Sequence, residues 1–142
     1  MLPMRKRYPF DYAVVRVVPR VERGEFLNAG VILFSSTAAY LCARIELDRA
    51  RLLALAPDID MALVEGHLDV IPRVCAGGVE AGPIGGLAQR QRFHWLVAPR
   101  STIIQTSPVH SGVHHDPEAA LQGLFERLVR IKSSTSDASS SR

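Results

Sequence analysis

Two stretches combine residue types and spacings that could do chemistry. In the first, Arg16, Arg20, Glu22, Arg23, Glu25 and Asn28 follow one another around Pro19. Two arginines separated by a proline turn could grip a phosphate or carboxylate with their planar forks. Glu25, three residues before Asn28, could orient a water, hold a cation or act as a base. The competing reading has Glu25 and Asn28 satisfying the turn's own backbone while Arg16 pairs with one of the carboxylates. Arg16 stands out because its neighbours are apolar, and a half-buried guanidinium needs a partner. In the second stretch Arg100, Ser101, Thr102, Thr106, Ser107, Pro108 and His110 offer an anion contact, hydroxyl donors and an acid. No GxSxG elbow occurs, so a nucleophilic serine is not expected. Glu25 and His110 are the weak catalytic candidates, and Arg16, Arg20, Glu25, Asn28, Arg100, Ser101 and His110 the anion- or partner-binding ones.

Other chemistry is disfavoured. His110, His114, His115 and Asp116 are ligand types for zinc, manganese or iron, but they read as a loop whose Asp116 suits a helix N-cap. Neither a metal nor a cofactor is expected. His94 beside Trp95 reads as an edge-of-core residue rather than a general base. Residues 77–86 hold five glycines but lack the GK[ST] ending of a phosphate loop and follow a helix, so they read as a lid or linker.

The elements that must position these residues are legible in outline. Residues 11–18 alternate, with Tyr12, Val14, Arg16 and Val18 on one face, and predict a strand closed by Pro19. Residues 29–35 are an apolar run of strand length and residues 38–46 a third strand, the two joined as a hairpin. Asp48 suits the cap of a short helix ending at Pro57. Asp58 suits the cap of a longer one whose Met61, Val64, Leu68, Ile71 and Cys75 form one apolar stripe, with Pro72 kinking or ending its last turn. Residues 87–98 read as a helix and 101–106 as a strand, and residues 107–115 as a loop. Asp116 with Pro117 at the first helical position opens a final helix to about residue 131, with Leu121, Leu124, Phe125, Leu128 and Val129 facing the core. This order predicts an α+β fold: a single domain with a mainly antiparallel sheet of about four strands packed against helices.

The 142 residues, 47% hydrophobic and 22% charged, fit one globular domain and no membrane span. That domain is expected at 10–131, with an N-terminal arm at 1–9 and a disordered Ser-rich tail at 132–142. The first residues lack the apolar core of a secretory signal. Cys42 and Cys75 lie in apolar surroundings without metal spacing and read as free thiols of a reducing cytoplasm. The net charge of +3 is concentrated early, with six cations against Asp11 and Glu22 in residues 1–24. No basic stripe interleaved with aromatics follows, so nucleic acid is not the expected partner. Fifteen of the 17 cations are Arg, which suits anion binding but equally the codon usage of a GC-rich genome.

The blocks YAVVRVVPRVERGEFLNAGVILF from Tyr12 and FHWLVAPRSTIIQTSPVHSG from Phe93, with Asp116-Pro117 following, resemble the bacterial family known as domain of unknown function 3037. The resemblance covers residues 10–131 and brings no activity with it. It singles out Arg16, Pro19, Arg20, Glu25, Asn28 and Gly30, then Pro99, Arg100, Ser101, Ser107, Pro108 and His110. It also implies a cytoplasmic partner, since members are often encoded beside proteins resembling the kinase of HipA-type toxin modules. The favoured expectation is a non-catalytic accessory or regulatory protein-binding module, with a HipA-like kinase as partner. The alternative is an enzyme or sensor binding a phosphorylated small molecule or nucleic-acid end through Arg16, Arg20 and Arg100. A homodimer made through a sheet edge is the third reading.

Overall fold

The alternation of the first strand and the unbroken hydrophobicity of the second have different causes, both visible in the computed structural model, which describes residues 5–130. Strand β1 (Tyr8–Val17) lies inside an antiparallel sheet, between β2 (Leu27–Ser35) and an edge made of β4 (Ile104–Thr106) and β5 (His110–His114); β3 (Tyr40–Ile45) extends the sheet beyond β2. One face of β1 sends Val15 and Val17 into a core shared with α2 (Met61–Ala76) and α3 (Gln89–Val97), following the short helix α1 (Arg49–Leu55). The other face packs Phe10 and Tyr12 beside α4 (Pro117–Leu128). Strand β2 is covered on both sides, and its run from Ala29 to Phe34 is therefore unbroken by polar residues. Its Ile32 and Phe34 join the α2–α3 core, while Val31 and Leu33 join the α4 core. The α+β single sheet expected from the sequence is observed, with five strands rather than four.

A β-bulge sets the phase of this arrangement. Gly30 faces Val15 but Asn28 faces Arg16, so Ala29 is an extra residue on β2. The bulge lets Leu27 and Ala29 face the same core as Ile32 and Phe34, although strict alternation would separate them. It also leaves Asn28 on the α4 face, opposite Arg16.

Several local expectations need correction. The first strand begins at Tyr8, so the end of the anticipated arm belongs to the sheet; the tail at 132–142 lies outside the described residues. The cap of α2 is Asp60, whose side chain accepts from Leu63 N–H, and not Asp58. Pro72 does not end that helix, which continues to Ala76. One intrahelical hydrogen bond is lost there, while burial of Val74 and Cys75 and an external donor on their carbonyls hold the last turn. Residues 110–114, read as loop, are strand β5. HSGVH has little strand propensity of its own, and pairing with β1 overrides it. The Phe10 ring lies across Gly112, and a Cβ there would stand 2.6 Å from it, so a larger residue would displace the ring. By contrast, Asp116 caps α4 and Pro117 opens it as expected.

The break between β4 and β5 is built by Ser107, which is 4% exposed. Its N–H donates to Val14 O and its Oγ accepts from Val14 N–H, both at 2.8 Å, so one residue closes a ladder position before Pro108, which has no N–H. Ser107→Ala is expected to cost about 1–3 kcal/mol by leaving that buried N–H unpaired. Urea unfolding measures the loss, and faster hydrogen exchange at the Val14 amide locates it.

Cys42 and Cys75 are both free. Burial pushes the Cys75 thiol up to about 12, so it stays protonated at neutral pH. Among the described residues no helix is long and apolar enough to cross a membrane.

Candidate interaction site at Arg16, Phe26 and Asn28

The connection from β1 to β2 folds back on itself. Val21–Arg23 form a single 3-10 turn, closed by Gly24 at φ 69°, whose N–H donates to Val21 O. Only glycine adopts that left-handed geometry without strain. The return brings Phe26 over the end of β1, where its ring centroid lies 4.2 Å from the Arg16 guanidinium carbon. Phe26 is still 45% exposed and Val21 50%. The turn thus presents apolar surface among Arg16, Arg20 and Arg23.

Beneath Phe26 the polar groups are unevenly satisfied. Asn28 Nδ2 donates to Leu128 O at 3.0 Å, tying β2 to the last turn of α4. Its Oδ1 is buried without a partner, and so is Nε of Arg16. These two residues are direct cross-strand neighbours, a relation that sets Cβ atoms about 5 Å apart. Each of these buried atoms is left unpaired at a cost of about 1–3 kcal/mol.

The remaining candidates lie elsewhere or are already engaged. Arg20 is exposed. Glu25 accepts from Arg23 Nε at 2.7 Å, and that hydrogen bond holds its carboxyl below the usual carboxylate range, which makes it a poorer base. Arg100 donates to Leu96 O and Trp95 O and lies 4.7 Å from the Trp95 ring, closing the C-terminus of α3. That places it on the α2–α3 side of the sheet, whereas Arg16, paired with Asn28, is on the α4 side. Ser101 is exposed beside Arg100. His110 stacks on Tyr12 at 5.3 Å between centroids, four residues along β1 from Arg16 and so roughly 13 Å away.

The histidine cluster is spent on backbone. His114 Nδ1 accepts from Asp116 N–H, and Asp116 accepts from Glu118 N–H. Among the described residues no group of three or more metal-ligand types assembles. The structure thus brings together Arg16 and Asn28 with the neighbouring turn, and leaves Arg100, Ser101 and His110 apart. Sequence reasoning missed Phe26; a lone aromatic inside the polar run PRVERGEFLN was the signal available.

A family model described as protein of unknown function (DUF3037) matches residues 12–129. The chain belongs to this family. No curated protein and no solved structure matches it.

Proposed function

We propose that the region shared with this family is a non-catalytic, cytoplasmic protein-binding module that docks an acidic segment of another protein on Arg16, Phe26 and Asn28. The observation that carries this reading is the Arg16 guanidinium lying 4.2 Å from the ring of Phe26, itself 45% exposed, in a turn rich in arginine. A guanidinium stacked on an aromatic and flanked by apolar surface has the composition of an interface anchor. The excess of positive charge in this part of the chain favours an acidic partner. Glu25 is engaged by Arg23 and His110 stacks on Tyr12 away from Arg16, which supports binding over catalysis at this turn. The two free thiols fit a reducing compartment. A kinase of the HipA type is the first partner to test.

The test captures the tagged chain, together with its Arg16→Ala and Phe26→Ser variants, in cells that also produce the tagged kinase. Retention of the kinase at near-equal stoichiometry is expected for the unmodified chain. Each variant should weaken it at least about tenfold while unfolding at a midpoint close to that of the parent. Undiminished binding by both folded variants would overturn the assignment of the site.

A further inference from the structure

On the opposite side of the sheet, α2, α3 and β4 enclose a cleft of about 130 Å³. Val70, Ile71, Trp95, Leu96 and Ile104 give it an apolar wall, and Arg100, His67, Thr102, Gln105 and Thr106 its polar groups, with no carboxylate among the lining residues. Trp95 is 38% exposed and Val70 40%, so the cleft opens to solvent with an indole on its wall. Arg100 is held in place by its two hydrogen bonds to α3 carbonyls and by the Trp95 ring. A guanidinium has five N–H groups, which leaves three unspent beside an apolar surface. Among the described residues it forms no salt bridge.

We infer that this cleft binds a small aromatic carboxylic acid, its ring against Trp95 and its carboxylate on Arg100. Size, apolar lining and charge each constrain the ligand. An apolar cavity of about 150 Å³ accepts one benzene ring, so the cleft has room for one ring against its wall, with the rest of a ligand free to reach into solvent. A phosphate would pair with Arg100 but leave Trp95 and Val70 facing water. A neutral hydrocarbon would cover the apolar wall but leave the fixed guanidinium beside it without a counter-charge. A carboxylate on a planar apolar body meets both demands. This site is centred on α3 and β4 and the docking point on the β1–β2 turn, with Gln105 of β4 lining the cleft and pairing with Arg16.

Trp95 is the single tryptophan of the chain, so its emission reports this cleft alone. The full chain is titrated with benzoate, benzamide and inorganic phosphate. Benzoate is expected to change the emission saturably, with a Kd at least about tenfold below that of benzamide, and phosphate is expected to have no effect. Val70→Phe, on the solvent side of α2, should fill the cleft and raise the benzoate Kd at least about tenfold without moving the unfolding midpoint. Arg100→Gln should abolish the preference for benzoate over benzamide. The inference falls if benzoate gives no saturable response, if benzamide binds equally well, or if Val70→Phe titrates like the parent.

Discussion

Replacing Arg92 with alanine is expected to remove about 3–5 kcal/mol of stability, a large part of what a domain of this size possesses. Arg92 is only 8% exposed although it is charged and has no carboxylate partner among the described residues. Its Nε donates to Leu87 O at 2.9 Å, and one terminal nitrogen donates to Val74 O at 2.8 Å and Cys75 O at 2.6 Å. The last two are carbonyls at the C-terminal end of α2, where the helix dipole favours positive charge. One side chain on α3 therefore closes α2 and fixes the glycine-rich segment that follows it. Truncation leaves those carbonyls without their donor and opens a void. Equilibrium urea unfolding measures the loss; a change below about 1 kcal/mol would mean that water replaces the guanidinium at little cost. Arg92→Lys should recover part of the stability, since an ammonium carries the charge but cannot span three carbonyls with the same planar fork.

The second large effect is expected at Gly30. A Cβ placed there would lie 2.5 Å from Ile45 Cδ1 and 2.7 Å from the Arg44 carbonyl oxygen. The Ile45 side chain can turn aside, but the Arg44 carbonyl belongs to β3 and moves only with the strand. Gly30 also adjoins the bulge that turns Leu27 and Ala29 toward the α2–α3 core and Asn28 toward α4. Gly30→Val should therefore cost about 2–3 kcal/mol from overpacking and loosen the pairing of β2 with β3. Thermal unfolding gives the magnitude, and the amide chemical shifts of residues 28–30 and 44–46 show whether the bulge has moved. A stable variant with shifts changed at residues 44–46 and unchanged at 28–30 would show that the edge strand β3 gives way and the bulge does not.

These two residues also mark where sequence reading stopped. Features set by neighbours along the chain were readable: the Asp116–Pro117 helix start, the apolar stripe of α2, and the apolar run at residues 29–35. Arg16 was readable as an anomaly because one cation interrupts an apolar alternation. What opposed it was not readable, since the bulge at Ala29 decides that Asn28 faces it. Arg92 sits in QRQRF, a run that reads as an exposed helix surface, and only the arrival of the α2 terminus explains its burial. Arg16 and Arg100 were grouped by residue type, but the sheet puts them on different faces. Strand β5 was missed because its partner is distant in sequence and its own residues carry no strand signal.

That distance also bears on how the molecule is made. Strands β1, β2 and β3 are contiguous in the chain and can pair soon after they leave the ribosome. The other edge of β1 waits for residues 93 to 100 positions further on, as the Val14–Ser107 and Asp11–Ser111 hydrogen bonds show. Until then, one side of the central strand presents unpaired N–H and C=O groups, a surface on which another nascent chain could add. Arrival of β4 and β5 should accordingly be the slow step of folding. Chains interrupted before residue 104 should aggregate rather than fold.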